Sequence, residues 1–266
     1  MNLLKKSNPQ QLIKLSKVNL VFELSRTSSD SLKDVFIKVL KNPIDFIFSN
    51  NDVFHCLKNV SFSINEGDRI ALLGRNGSGK TSLCHLITGN LKPTLGAVER
   101  SCQVRSVYST TAQLFPELSG IENAKVVARL LYPHLSEQEL ITIVDEAILF
   151  SELDTFSNAP IKTYSKGMSA RLILSLVTAL PADLLIMDEL FDGADQFFME
   201  KFEPRLKHII EKSKATLFIN HDISFLKEHC NQVIVLNEGE ISYTGSPIKG
   251  FFYYQNKNWP EKRGHL

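Results

Sequence analysis

Alternating polar and apolar residues mark 17–24 (Lys17-Val-Asn-Leu-Val-Phe-Glu-Leu24) and 60–64 (Val60-Ser-Phe-Ser-Ile64), while unbroken apolar runs mark 69–73, 184–187 and 215–219. Both patterns predict strands, and 104–108 makes another short one. The polar segment Asn65-Glu-Gly-Asp68 reads as a turn between two of them, and 232–236 with 240–243 read as a hairpin around Asn237-Glu-Gly239. A different period takes over at 31–40, where Leu32, Val35, Phe36, Val39 and Leu40 fall at helical spacing behind a capping-box-like Ser31 and Asp34, with Asn42-Pro43 as the stop. Further helices are predicted from about 80 to 91 and from about 165 to 180, the second ended by Pro181. Ser119-x-x-Glu122 and Ser136-x-x-Glu139 each have the form of a helix-opening capping box, so 109–181 is mostly helical. Strands alternating with helices imply an α/β core with a largely parallel sheet, into which the helical middle is inserted.

Composition narrows the class. With 266 residues, 43% hydrophobic and 22% charged, the chain suits one large globular domain or two closely packed subdomains. No internal repeat or low-complexity segment is present, so a single unit is expected. A formal net charge of +1 supplies no global field toward nucleic acid or an acidic membrane, so no nucleic-acid partner is expected. Four scattered cysteines without a C-x-x-C pair argue for reduced thiols in a cytosolic compartment and against a structural zinc. The first ten residues lack a signal-peptide core, and no stretch reaches the roughly 18 apolar residues of a spanning helix, so work at a membrane is expected to go through a partner.

The chemistry starts between a predicted strand and a predicted helix, at Gly74-Arg-Asn-Gly-Ser-Gly-Lys-Thr81. Gly74-x-x-x-x-Gly79-Lys80-Thr81 is the P-loop pattern in the context that gives it physical meaning. Glycines at 74, 77 and 79 let backbone N–H groups of Arg75, Asn76, Ser78 and their neighbours turn around phosphate oxygens, and the helix N-terminus adds partial positive charge. Lys80 is placed for the β- and γ-phosphates, and the Thr81 hydroxyl, followed by Ser82, for Mg²⁺. An ordinary glycine turn is the competing reading, and the flanking strand and helix weigh against it. The second element, Leu184-Leu-Ile-Met-Asp188-Glu189, is an apolar strand ending in two carboxylates. One is suited to hold Mg²⁺ and the other to take a proton from an attacking water, with Glu189 as the catalytic base.

Between and beyond these lie Tyr164-Ser-Lys-Gly-Met-Ser-Ala-Arg171, Asp192-Gly-Ala-Asp195 and Asn220-His221-Asp222. A P-loop, this motif, an Asp-Glu pair, an Asp turn and a His after a strand, in that order, resemble the ATP-binding cassette (ABC) ATPases over nearly the whole chain. The resemblance implies an α/β P-loop NTPase of ABC type, with a mostly parallel core sheet, an N-terminal antiparallel β part and an inserted helical subdomain. It implies an ATPase domain over 1–250 (core 15–108 and 182–250, helical subdomain 109–181, insertion 25–52) and a C-terminal tail over 251–266. By the same likeness Ser165, Gly167 and Met168 belong to the signature motif, usually Leu-Ser-Gly-Gly-Gln, which faces the γ-phosphate held by a second protomer. Ser165 also opens a helix, and a simple helix cap is its competing reading. His221 resembles the switch histidine, Asp195 the dimer-contact aspartate, Asp188 and Thr81 the Mg²⁺ residues, and Phe22 the aromatic that stacks on adenine. A core phenylalanine is the rival reading of Phe22. Gln113 stands a few residues later than the family's Mg²⁺-contacting glutamine.

The departures from the common pattern resemble one subgroup. The Tyr-Ser-x-Gly-Met signature, the Gly-Ala-Asp turn and the helix inserted at 25–52 look like ATPases that export bacterial O-antigen, capsule or teichoic acid. That likeness implies an ATP- and Mg²⁺-dependent homodimer on the cytoplasmic side of the cell membrane, beneath a separate ABC-2-type permease. Some members carry a C-terminal carbohydrate-binding domain, for which 251–266 is too short, and the aromatic run Phe251-Phe-Tyr-Tyr254 is expected to pack on the protein's own surface. The helix at 31–40 is expected either to fold onto the sheet or to lie toward the membrane, where Lys33, Lys38 and Lys41 suit acidic headgroups. Alternatives in the same fold are exporters of a drug, peptide or lipid. Alternatives of another class are a soluble ABC protein of translation or DNA repair and a regulator without turnover.

Overall fold

The computed structural model describes residues 9–24, 52–107, 114–188, 195–220 and 222–257. The helix predicted at 31–40 and the candidate residues Gln113, Glu189 and His221 lie outside the described residues.

In chain order the strands are β1 (Gln11–Leu24), β2 (Asp52–Asn65), β3 (Arg69–Leu73), β4 (Leu95–Arg100), β5 (Val104–Val107), β6 (Leu184–Asp188), β7 (Ala215–Ile219), β8 (Gln232–Asn237) and β9 (Glu240–Gly245). They form two sheets. The smaller is antiparallel, of order β2-β1-β4, and the larger runs β5-β6-β7-β3-β8-β9, parallel except for β9. The larger sheet explains the unbroken apolar runs, because both of its faces are covered. Ile70, Leu72, Leu184, Ile186, Leu217, Ile234 and Leu236 pack toward the smaller sheet, while Ala71, Leu73, Leu185, Met187, Phe218, Val233 and Val235 pack toward helices on the other side.

β1 begins earlier than the alternation at 17–24 predicts. Ile13 and Leu15 are already buried, but a register shift around Lys17, whose φ is 49°, changes the phase before Val18 and Leu20. β4 has no counterpart in the sequence reading because it is exposed almost throughout and carries no alternating signal.

α1 (Lys80–Thr88) follows β3 and stops at Gly89, a left-handed cap, short of the predicted 91. The helical middle holds α2 (Gly120–Leu131), α3 (Glu137–Ser151) and α4 (Lys166–Val177). Both predicted capping boxes form: Ser119 Oγ accepts from Glu122 N–H while Glu122 accepts from Ser119 N–H, and Ser136 and Glu139 do the same. α4 ends at Val177, where the Tyr132 hydroxyl donates to Leu176 O (2.7 Å) and accepts from Leu180 N–H (3.3 Å), drawing the chain away before Pro181. α5 (Gln196–Lys212), α6 (Ile223–His229) and α7 (Pro247–Asn256) complete the described elements. α7 crosses position 250 and buries Phe251 in the core, so the aromatic run begins inside a helix of the domain.

Candidate active site

β3 delivers the chain into the loop 74–79, and the geometry there depends on missing side chains. A Cβ on Gly79, at φ +103°, would lie 2.9 Å from both Cys56 O and Leu57 Cδ2. One on Gly74 would fall against Leu236 O and Ser78 Oγ. The hairpin β8–β9 braces the loop from behind: Gly239 N–H donates to Ser78 O (3.1 Å), and Gly239 O accepts from Lys58 N–H (2.8 Å) of β2. The Lys80 ammonium bends back over the loop and donates to Gly74 O (2.7 Å) and Arg75 O (3.1 Å).

In front of the loop lies a cavity of about 500 Å³ lined by Phe54, Cys56, Asn76, Gly77, Gly79, Lys80, Thr81, Ser82 and Asp188. Four chain-distant pieces thus meet: β2, the glycine loop with the first turn of α1 that continues it, and the carboxylate at the end of β6, with β8–β9 behind. Asp188 is buried, at 8% exposure, which places one negative charge beside the Lys80 and Thr81 side chains. The neighbouring Cys84 thiol is pushed far up, by complete burial first and by the Asp188 charge second, so it stays protonated and inert. The Ser78 hydroxyl is buried and has no hydrogen-bond partner among the described residues. A glycine loop at a helix N-terminus, an orphaned hydroxyl, a lysine and a carboxylate next to a threonine hydroxyl fit a triphosphate with its Mg²⁺.

Phe22 itself is not among the residues that line this cavity. Phe22 is not core: it is 38% exposed on β1 and pairs directly across from Phe54 on β2. Phe54, 48% exposed, is the ring that lines the cavity. The alternation on β1 is readable in the sequence, but its partner position on β2 lies far along the chain and has no local signal.

Ser165, Gly167 and Met168 do not line this cavity. Ser165 is exposed and caps α4, its Oγ accepting from Met168 N–H (3.2 Å), with Lys166 exposed beside it. The turn before it is fixed by packing. A Cβ on Gly120 would run into the Tyr164 hydroxyl, which donates to Phe156 O (2.8 Å). Asn123, fully buried, accepts from Phe115 N–H (2.7 Å) and donates to Phe115 O and Leu118 O (3.0 Å each), shaping the Phe-Pro-Glu-Leu segment. Asp195 caps α5 through Phe198 N–H (3.0 Å) and accepts from the Arg171 guanidinium of α4, whose donors hold its carboxyl below the usual range. The structure therefore gathers the P-loop and Asp188 at one place and the signature segment with Asp195 at another.

The family model "ABC transporter" matches residues 57–192, more than half of the chain. Fold, loop and match together define the class: the chain belongs to the ABC transporter family and is an ABC-type ATPase that binds ATP. Among curated relatives, a teichoic acids export ATP-binding protein TagH of Lactococcus lactis is 33% identical over 237 residues, 88% of this chain and 48% of that protein. The chain thus spans about half the length of that relative. The TagH of Staphylococcus haemolyticus is 31% identical over 233 residues, 88% of this chain and 84% of its own length. Among solved structures, the dimeric ATP-binding cassette MJ0796 with ADP and Pi shares the fold, with a TM-score of 0.67 at 21% identity over 89% of this chain and 99% of that one. CbiO1 of Clostridium perfringens does so with a TM-score of 0.62 at 22% identity, covering 91% of each. No helix among the described residues is long and apolar enough to cross a membrane.

Proposed function

We propose that this chain is the ATP-hydrolysing subunit of an exporter of a cell-surface polysaccharide of the teichoic acid type. It works as a homodimer on the cytoplasmic side of the cell membrane, beneath a separate ABC-2-type permease. The observation that supports the substrate class is the similarity, at 31–33% identity over 88% of the chain, to proteins named for teichoic acid export. The catalytic reading rests on the cavity that joins the glycine loop, Lys80, Thr81 and Asp188.

In this reading the triphosphate lies along the amides of 74–79 with the base against Phe54. The Lys80 ammonium exchanges its two carbonyl partners for β- and γ-phosphate oxygens. Thr81 and Asp188, with Gln113, hold Mg²⁺, which neutralises phosphate charge when bound. Glu189 takes a proton from water as its oxygen bonds to the γ-phosphorus and the bond to the β–γ bridging oxygen breaks, giving ADP and phosphate. His221 contacts the γ-phosphate. Since Ser165, Gly167 and Met168 lie away from the cavity of their own chain, they close the site of a second protomer, where the N-terminus of α4 meets the phosphate.

The test is made in cells whose own gene is silenced. The chain is expected to restore the surface polymer and to co-purify with a multi-helix membrane protein, and the Glu189→Gln chain to co-purify without restoring it. Co-purification with ribosomes or DNA, or restoration by Glu189→Gln, contradicts the proposal.

A further inference from the structure

At the end of the large sheet away from the nucleotide cavity lies a cleft of about 770 Å³ with no part in the chemistry above. Its wall includes Arg105 on β5, Asp183 just before β6, Lys212 and Lys214 just before β7, and Leu131 and Pro133 at the end of α2. β6 starts next to this cleft and ends at Asp188, so about 13 Å of strand separates the two cavities. The charges of the cleft are unevenly matched. Asp183 is fully engaged, one oxygen with the Lys214 ammonium (2.7 Å) and the other accepting from Gln103 N–H (3.1 Å). Arg105 has no carboxylate partner among the described residues. Its Nη1 donates to Leu180 O (2.5 Å), its Nε–H is buried without an acceptor, and the guanidinium lies 4.2 Å over the Tyr132 ring. Burial lowers the pKa of this group, and what opposes the shift is the Tyr132 side chain rather than an acid. Lys212 is exposed on the same wall and has no ion-pair partner among the described residues.

A guanidinium stays charged at neutral pH, and holding it partly out of water with a donor unmatched is costly. Leu180 O and the Tyr132 ring fix its position without neutralising it, so the neutralising group has to come from outside the described chain. The cleft offers that group the free Nη2 edge of Arg105, the Lys212 ammonium, and apolar surface on Leu131 and Pro133. A carboxylate would match only part of this charge. A phosphoryl dianion, with three acceptor oxygens, matches more of it and suits the guanidinium fork. We propose that the cleft binds a phosphate ester, with its phosphoryl oxygens on Arg105 and Lys212 and its organic part against Leu131 and Pro133. Because β6 keeps the two cavities apart, this site fills while the P-loop holds its nucleotide. The proposal depends neither on the exported polymer nor on the pairing of two protomers.

The experiment titrates the full chain, its P-loop filled with Mg-ADP, with phenyl phosphate, benzoate and phenol by calorimetry. In parallel, NMR follows the Arg105 Nε–H proton of the parent, assigned by its loss in Arg105→Lys. Phenyl phosphate is expected to bind once per chain and to shift that proton, benzoate to bind at least about fivefold more weakly, and phenol to give no heat. Arg105→Met should weaken phenyl phosphate about 10- to 100-fold, as expected for loss of a hydrogen bond between charged groups, and Lys212→Met about two- to fivefold. Both should keep Mg-ADP affinity within about twofold, since distant sites do not couple. No heat with an unmoved Arg105 proton in the parent overturns the proposal, and so does parental affinity in a folded Arg105→Met. Benzoate binding as tightly as phenyl phosphate removes the phosphate class, and binding seen only with an empty P-loop reports the nucleotide site instead. Should Arg105→Met fail to fold, Lys212→Met and the parent's Arg105 proton decide: parental affinity in the first together with no shift of the second is contrary to the proposal.

Discussion

Ser165 is both a helix cap and, in the proposed dimer, a phosphate contact, and two substitutions separate these roles by magnitude. Its Oγ accepts one hydrogen bond, from Met168 N–H at 3.2 Å, and the residue is exposed. Ser165→Ala removes that cap at a cost of about 1 kcal/mol, which lowers Tm by about 2–4 °C in a domain of this size. Ser165→Asp keeps a capping oxygen and places negative charge at the positive end of α4, which adds about 0.3–1 kcal/mol of stability, so its Tm is not below the parent's. Were Ser165 only a cap, Ser165→Asp would be the better enzyme of the two. If the opposite protomer's γ-phosphate lies against it, the order of activity inverts. Loss of a hydroxyl donor to a charged oxygen costs about 1.5–3 kcal/mol, a rate about 10- to 100-fold lower for alanine. The carboxylate adds like-charge repulsion in a closed site and drops turnover by at least about 100-fold. Thermal melts and phosphate release on the same preparations measure both. Parental turnover by a normally melting Ser165→Asp refutes the reasoning.

Lys80→Ala is expected to reduce hydrolysis about 100-fold, because it removes the ammonium that stands over the glycine loop; phosphate release reads the effect and thermal melting checks that the variant is folded. Phe54→Ala is expected to weaken ATP binding about three- to tenfold and Phe22→Ala less, while tripolyphosphate binds both alike; equal losses in fluorescence titrations contradict the placement of the base. The Asp183, Asp195 and Glu152 carboxyls are each held low, chiefly by Lys214, Arg171 and Lys201 respectively. Their stabilisation is complete above about pH 5 and is lost as pH falls through their depressed folded values, so urea midpoints should decline modestly below about pH 4, and less in Asp183→Asn, because solvent screens these exposed pairs.

The parallel strands are legible because β3, β6, β7 and β8 are buried on both faces and leave unbroken apolar runs. Elements with a phase break or a polar surface are not. The bulge near Lys17 splits β1, and β4 exposes even Leu95 at 66%. α5 carries Pro204 inside it, a residue that argues against a helix, although Phe198, Phe202, Leu206 and Ile209 make its buried stripe. At the site, the glycine loop and Asp188 are readable because local spacing fixes their geometry. Phe54 reaches the cavity through pairing with β1 across the segment 25–51, and Arg171 meets Asp195 by tertiary packing, neither of which leaves a periodic trace in sequence.

The central claim is that ATP is held between the P-loop of one protomer and the signature segment of another. Light scattering of the Glu189→Gln chain, with and without Mg-ATP, measures it most directly. A single chain of 30.0 kDa without nucleotide should become a particle of twice that mass holding two ATP molecules, and Ser165→Asp in the same background should prevent the change. A Glu189→Gln chain that binds Mg-ATP tightly and keeps the mass of one protomer contradicts the claim.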